Sequence, residues 1–141
     1  MVREHAGGYD LELAGFTVNI CAVDFAFTLH VLRPLNTVPH QEHAQLRIEA
    51  PFECGVEGAT SFLTPGDDPV GLAPALGLLF HTVESATVDP AGVLEMTFSG
   101  PASLRVPPEP NYEAWTLNAP GNVLVVSGPG GLVSVFRPPQ T

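Results

Sequence analysis

Four neighbouring residues have side chains that resemble a metal site: His40, Gln41, Glu42 and His43. Imidazole and carboxylate groups are zinc ligands, but a zinc site needs a third or fourth ligand held at a defined spacing. The metalloprotease motif separates its histidines by four positions on a helix, and these two are closer together in a segment without helical periodicity. We therefore predict a solvated loop, with no metal ligands and no cofactor.

Two further groups of residues have side chains or spacing that could support catalysis. Asp24 and His30 share one face of a predicted strand, but a nucleophilic triad also needs a positioned Ser or Cys, and no Gly-x-Ser-x-Gly segment supplies one. The segment Ser127 to Gly131 is rich in glycine, yet it lacks the Lys-Ser/Thr ending and the following helix of a phosphate loop. We predict a hairpin turn there, and no catalytic residues.

Tyr112 and Trp115 lie in the stretch around which the chain is organised, Asn111 to Phe136. In a regular strand the two rings point to opposite faces, whereas a bulge would bring them together. Both rings carry a polar group, so they could line a pocket or anchor a protein partner. Core packing is the favoured alternative for Trp115. The candidate ligand- or partner-binding residues are Tyr112, Trp115 and His30.

The composition restricts the classes of function. The net charge of −10 comes from 15 acidic residues against five arginines and no lysine, which disfavours nucleic acid and suits a basic protein partner. A hydrophobic content of 45% with 14% charged residues predicts a folded protein. The sequence has neither an apolar run of membrane-spanning length nor a signal-like start, so we expect no membrane partner and a cytoplasmic location. We predict free thiols at Cys21 and Cys54.

Short strands must position these residues. Alternation from Val23 to Val31 predicts one continuous strand, with Phe25, Phe27 and Leu29 on its apolar face. Arg33 to Ala44 is predicted to be a surface loop. Residues 112–117, 122–126 and 132–136 are predicted to form three antiparallel strands. Because Val123 to Val126 is apolar throughout, the middle strand is expected to be covered on both faces.

One helix is predicted at Asp67 to Phe80, with Asp67 or Asp68 as its cap and Pro69 in its first turn. Its apolar residues follow helical spacing, and Pro74 weakens it. These residues are Leu72, Leu76, Leu79 and Phe80. We expect one α+β domain, residues 1–141, that is dominated by β structure. It is a curved antiparallel sheet or a sandwich of short strands, with the helix closing one open side.

The segment Tyr112-Glu113-Ala114-Trp115, a valine-rich strand and Pro129-Gly130-Gly131 resemble the ending of a small bacterial single-domain family of unknown function. That resemblance implies no catalytic residue. The acidic charge favours a non-catalytic binding protein, for example an immunity-type partner of a bacterial toxin. The alternative is a small-molecule-binding protein or a modest enzyme, with a pocket between sheet and helix. A homo-oligomer joined through sheet edges is compatible with both.

Overall fold

A computed structural model describes residues 2–38 and 40–139, and those residues form thirteen β-strands and two 3₁₀ segments. The strands are β1 Arg3–His5, β2 Gly8–Asp10, β3 Thr17–Val23, β4 Phe27–Pro34, β5 Gln41–Ile48, β6 Phe52–Val56, β7 Ala59–Leu63, β8 Val83–Val88, β9 Leu94–Phe98, β10 Ala102–Val106, β11 Trp115–Ala119, β12 Val123–Ser127 and β13 Val133–Phe136. The 3₁₀ segments are a helix at Pro69–Leu78 and a single turn at Pro129–Gly131.

The strands form two antiparallel sheets. The seven-stranded sheet has the order β1-β2-β8-β9-β10-β6-β7, and the six-stranded sheet has the order β13-β12-β11-β5-β4-β3. Neither sheet closes into a barrel. The predicted β-dominated fold with antiparallel sheets and one helix is therefore confirmed, and the sandwich is the better of its two descriptions because both sheets contribute to one hydrophobic core.

Alternating side chains fill the space between the sheets. Leu94, Met96 and Phe98 of β9 are buried, and the residues between them are exposed, as the sequence predicts. The rings of Phe27 and Phe52 stack across the interior with their centroids 5.6 Å apart, which joins β4 of one sheet to β6 of the other. Burial of these large side chains supplies the main favourable free energy of folding.

One side of the sandwich is closed by backbone hydrogen bonds and by the 3₁₀ helix. The amide of Phe80 donates to the carbonyl of Val18 at 2.8 Å, and the amide of Val18 donates to the carbonyl of His81 at 2.9 Å. The chain entering β8 thus pairs with the start of β3 and links the two sheets. The 3₁₀ helix packs against β3, β6 and β7, which agrees with the expected closure of an open side.

The helix differs from the predicted one in its type and in its buried face. Its buried residues are Leu72, Ala75 and Leu78, because a 3₁₀ helix has three residues per turn. Leu76 is 45% exposed and Phe80 is 74% exposed, so the predicted α-helical spacing was wrong at both. Pro74 lies inside the segment, where it cannot donate a backbone hydrogen bond, and Asp68 makes no side-chain cap.

The predicted continuous strand from Val23 to Val31 is interrupted by a turn. The amide of Ala26 donates to Oδ1 of Asp24 at 2.7 Å, and the amide of Asp24 donates to the carbonyl of Ala26 at 3.0 Å. These bonds reverse the chain between β3 and β4. Phe25 stands at the tip with 76% of its surface exposed, so it does not belong to the buried face.

The predicted loop from Arg33 to Ala44 is shorter than expected. Strand β4 continues to Pro34, strand β5 begins at Gln41, and the two strands pair throughout, including Arg33 with Glu42. Arg33 and Glu42 also form an ion pair, which explains how charged residues extend the hairpin. The amide of Leu35 donates to the carbonyl of His40 at 2.7 Å across the remaining connection. Pro39 lies outside the described residues.

The last third of the chain forms β11, β12 and β13 in the predicted antiparallel order. Strand β11 begins at Trp115 rather than at residue 112. The expected cover on both faces of β12 is wrong: Val123 and Val125 are buried, but Leu124 and Val126 are only half-buried. The reason is that β12 lies within a sheet whose second face has no layer packed on it among the described residues.

Two glycine turns bring the ends of the sheets into contact. Gly92, in the β8–β9 turn, and Gly131, in the β12–β13 turn, both have positive φ, of 90°. A Cβ atom on Gly131 would lie 2.5 Å from the carbonyl oxygen of Ala91, and one on Gly92 would lie 2.6 Å from the carbonyl oxygen of Gly131. Only glycine fits this backbone approach without strain. The glycine-rich segment is thus a hairpin turn, as predicted, and also a packing contact.

Candidate functional site

Amide and imidazole side chains lie together on the outer face of the six-stranded sheet. Strand pairing aligns six residues, one from each strand, in a single row across this face. The row is Ile20, His30, Gln45, Asn118, Leu124 and Phe136. Outside the irregular pairing at Asn19, their neighbours within each strand point inward to the core, because side chains alternate between the two faces of a strand.

The centre of this row is polar and its two ends are apolar. His30 is half-buried, and Gln45 and Asn118 are exposed. Ile20 at one end is 49% exposed and Phe136 at the other end is 56% exposed. At a spacing of about 4.8 Å between strands, the row extends for roughly 24 Å. A surface of this length and composition could contact another molecule across the whole sheet.

The central polar groups have no partner within the described part of the chain. The side chains of His30, His43, Gln45 and Asn118 take part in no hydrogen bond or ion pair there. Imidazole and amide groups each donate and accept hydrogen bonds. The face therefore presents four groups that can bond to water or to a ligand.

A shallow depression of about 340 Å³ opens on this part of the face. Its lining residues are Asn19, Ile20, His30, His43, Ala44, Gln45, Asn118 and Ala119. A second depression of about 420 Å³, beside the turn at Pro120, shares His43 and Ala119 with the first. The two depressions are therefore adjacent, and most of the side-chain hydrogen-bonding groups that line the first are amides and imidazoles.

Asn19 lies at an irregularity in the sheet at the edge of this depression. The pairing of β3 with β4 shifts register between Val18 and Ile20, which leaves Asn19 as an extra residue in a β-bulge. Its Oδ1 atom is buried and accepts no hydrogen bond from the described residues. A buried acceptor without a hydrogen bond costs free energy, so the bulge carries an unsatisfied acceptor at the edge of the depression.

Charged groups border the face on the side of the β3–β4 turn. Nη1 of Arg47 lies 3.2 Å from Oδ2 of Asp24, and Nε of Arg47 lies 3.2 Å from Oε1 of Glu49. The pKa of the Asp24 carboxyl is lowered, first by the Ala26 amide and then by Arg47. The same contacts raise the pKa of Arg47, with Asp24 as the main cause. These charges are already paired.

The three candidate residues predicted from the sequence do not come together. Trp115 is 1% exposed and faces the core, opposite the face that carries His30. Tyr112 precedes β11 and is 44% exposed. Burial, with Glu109 and Glu49 nearby, raises the pKa of the Tyr112 hydroxyl. Only His30 lies on the outer face. The structure does not bring the three residues together, and a role of each in binding stays a prediction.

The remaining chemical candidates are also separated. The carboxylate of Asp24 bonds to Ala26 and Arg47 and not to His30. Gln41, Glu42 and His43 lie on β5 rather than in a loop, and Glu42 pairs with Arg33. Within residues 2–38 and 40–139, no three His, Cys, Asp or Glu side chains are grouped closely enough to hold a metal ion. The sequence missed Gln45 and Asn118 because no motif marks them.

The fold and this face define a class of protein. It is an antiparallel β-sandwich in which the outer surface of one sheet carries polar side chains that have no hydrogen-bond partner among the described residues. Residues 9–137 match the model of a family of unknown function, DUF6188, and the chain belongs to that family. The expected membership in a family of unknown function is thus confirmed, while the Tyr-Glu-Ala-Trp and Pro-Gly-Gly pattern as its signature stays a prediction. No curated protein and no solved structure matches the chain.

None of the described helices has the length and apolar character needed to span a membrane.

Proposed function

We propose that this protein is a non-catalytic binding protein that contacts its partner through the outer face of the six-stranded sheet. The observation that carries the proposal is the row of His30, Gln45 and Asn118, whose polar groups have no partner within the described residues. Such groups can pair with polar atoms of another surface. Ile20 and Phe136 at the ends of the row add apolar contact area, as the buried part of an interface requires.

The absence of a paired catalytic group on this face supports binding rather than catalysis. A histidine that acts as a general base is normally oriented by a carboxylate and placed beside a nucleophile. His30 has neither contact in the described part of the chain. Asp24, the nearest sequence candidate, is held by the Ala26 amide and by Arg47.

The charge of the chain favours a basic partner. The net charge of −10 would attract a positively charged protein and speed the encounter between the two. The sharpest form of the proposal is an immunity-type partner that binds and blocks a basic bacterial toxin. That form rests on the charge and on analogy with other small acidic proteins.

The depression beside His30 and Gln45 favours one alternative, a small-molecule-binding protein or a modest enzyme. Its volume of about 340 Å³ is at the lower end of the range for ligand pockets. The lining amides and imidazoles suit a neutral ligand that both donates and accepts hydrogen bonds. This pocket lies on the outside of the sheet, and not between sheet and helix as the sequence suggested.

The binding proposal can be tested with one substitution on each sheet. Gln45→Arg places a long cationic side chain at the centre of the outer face. Thr97→Arg places the same side chain on the exposed side of β9, in the seven-stranded sheet, and is the matched control. Binding to a basic secreted protein encoded in a neighbouring reading frame is measured by calorimetry, and protection from that protein is measured by survival of cells that produce both.

We expect Gln45→Arg to weaken binding by about tenfold or more, since it adds charge repulsion and blocks the polar row. Thr97→Arg should bind like the wild type, and both variants should melt near the wild-type temperature. Equal binding by all three proteins would contradict the proposed surface. If no basic protein binds but a neutral ligand raises the melting temperature of the wild type and not of Gln45→Arg, the small-molecule alternative is correct.

A further inference from the structure

Strand β7, Ala59–Leu63, forms one edge of the seven-stranded sheet and pairs only with β6 within the described residues. The two strands are joined by Glu57 and Gly58, whose φ angles of 51° and 80° are those of a two-residue hairpin turn. In such a hairpin the residues beside the turn, Val56 and Ala59, form a hydrogen-bonded pair. Alternation along β7 then directs the backbone groups of Thr60 and Phe62 away from β6.

These outward backbone groups have no hydrogen-bond partner among the described residues. Apart from the ladder with β6, the described residues make no backbone hydrogen bond to Thr60 or Phe62. The side chain of Phe62 is 80% exposed on the outer surface of the sheet. A strand edge with free donors and acceptors and an exposed ring is a template for pairing with another strand.

Strand β7 lacks the features that usually protect an edge. Its sequence, Ala-Thr-Ser-Phe-Leu, has no charge and no proline, and its register with β6 is regular. Soluble proteins commonly place Lys, Pro or a bulge on such a strand. The absence of charge on β7 itself is notable in a chain of net charge −10, because no like charges meet directly where two copies of this strand would pair.

The other three edges differ. Strand β3 is partly covered, because the backbone of Val18 bonds to Phe80 and His81 in the chain entering β8. Strand β1 is only three residues long and carries Arg3 and Glu4. Strand β13 is followed at once by Arg137 and two prolines, which limit pairing beyond Phe136. Strand β7 is therefore the edge best suited to an added strand.

We propose that two copies of this chain pair antiparallel along β7, about a two-fold axis that passes beside Ser61. Each Thr60 then lies opposite Phe62 of the second copy. Because both residues direct their backbone groups outward, each of the two symmetry-related pairs can exchange two hydrogen bonds. The two seven-stranded sheets become one continuous sheet across the dimer.

In this register the side chains of the two copies are also complementary to each other. Thr60 and Phe62 share the outer surface of the sheet, so each ring packs beside the Thr60 methyl group of the second copy and near the second ring. The two Ser61 side chains meet on the opposite surface. The outer face of the six-stranded sheet remains accessible in this dimer, so the inference is independent of the proposed function.

The test is sedimentation equilibrium of the full chain over a range of concentrations. Phe62→Lys places a charge at the edge, and Thr60→Pro removes one outward amide at a position where an edge strand tolerates proline. The matched control is Phe136→Lys on β13, at a side chain that is 56% exposed. We expect the wild type to form dimers, and each β7 substitution to raise the dissociation constant by about tenfold or more. Phe136→Lys should leave it unchanged.

A second measurement does not depend on any variant. Amide hydrogen exchange of the wild type should slow at Thr60 and Phe62 as the concentration rises, because only dimer formation protects those two amides. A monomeric wild type at every concentration would overturn the proposal. So would a dimer that Phe136→Lys dissociates while Phe62→Lys does not, or unchanged exchange at Thr60 and Phe62 in a dimeric sample.

Discussion

The outward surfaces of the two sheets are built from similar rows of residues but differ in how the polar groups are used. On the seven-stranded sheet one row crosses every strand, and each of its two arginines lies beside a carboxylate on the neighbouring strand. The row is Arg3, Asp10, Thr87, Glu95, Arg105, Glu53 and Phe62. Arg3 lies 3.5 Å from Asp10, and Arg105 lies 3.5 Å from Glu95.

The next row on the same sheet is also internally bonded. Oγ of Ser85 lies 2.6 Å from Oγ1 of Thr97, so these hydroxyls bond to each other. On the six-stranded sheet, by contrast, His30, Gln45 and Asn118 stand in one row without such contacts in the described residues.

This difference indicates where a ligand or partner would gain most. Exposed ion pairs contribute little to stability, but each one occupies groups that would otherwise be available to a partner. Binding to the seven-stranded surface would have to break existing contacts. Binding to the six-stranded surface would replace only contacts with water, which is the physical basis for choosing it as the candidate site.

The largest expected effect comes from removing the side chain beneath the six-stranded face. Trp115 is fully buried at the start of β11, and Trp115→Ala should lower the free energy of unfolding by about 3–5 kcal/mol, because it removes buried area and leaves a cavity. Thermal and urea melts measure the loss. Tyr112→Ala, three residues away and exposed, should change stability by no more than about 0.5 kcal/mol. A melting shift of only a degree or so for Trp115→Ala would contradict its role in the core.

An intermediate effect is expected where the two sheets meet at their glycine turns. Gly130 and Gly131 both have positive φ, but a Cβ on Gly130 meets nothing within 4 Å, whereas one on Gly131 overlaps the carbonyl oxygen of Ala91. Gly130→Ala should therefore show only the backbone cost of about 1–2 kcal/mol. Gly131→Ala should lose about 1–3 kcal/mol more, from overpacking. Urea melts of the two variants give the difference directly, and equal losses would show that the turns do not restrain each other.

The effect that is smallest near neutral pH comes from one thiol on each sheet. Burial raises the pKa of Cys21, on β3, to about 11 and the pKa of Cys54, on β6, to about 11, from a usual value of 9.0. Between pH 9 and pH 11 the folded chain retains thiol protons that the unfolded chain has lost, so stability should fall as the pH rises through this range.

Chemical melts across that range measure the pH dependence. The double variant Cys21→Ala and Cys54→Ala is the control, because it lacks both titrating thiols and is otherwise identical to the wild type. Its stability should fall less steeply than that of the wild type. Parallel profiles for the two proteins would mean that the fold does not raise the pKa values of these thiols.

Much of the local structure could be predicted from residue patterns. The alternation in Leu94–Phe98 and the strands after Trp115 are in place, because the period of two is a property of neighbouring residues. Predictions failed where a side chain or an imino acid changed the local hydrogen bonding. Asp24 turned an apparently continuous strand into a hairpin, and Pro74 lies in a helix of the 3₁₀ type.

The candidate site could not be predicted in the same way. His30, Gln45 and Asn118 become neighbours only because β5 lies between β4 and β11. The sequence placed His30 on an outward face but gave no means of finding the other two, which lie in separate segments. Trp115 and Tyr112 were singled out for their size and polarity, and those properties alone do not distinguish a core residue from a binding residue.

The sequence by itself determined the β-dominated composition of the fold, the two-sided character of most strands, the acidic charge and the family. Each of these depends on residue types or on neighbours along the chain. Only the tertiary structure decided the order of the strands, and with it which polar side chains stand together on the outer face and which strand is left open at β7. Strand order depends on pairing between segments far apart in the sequence, and such pairing is selected by the packing of the whole core.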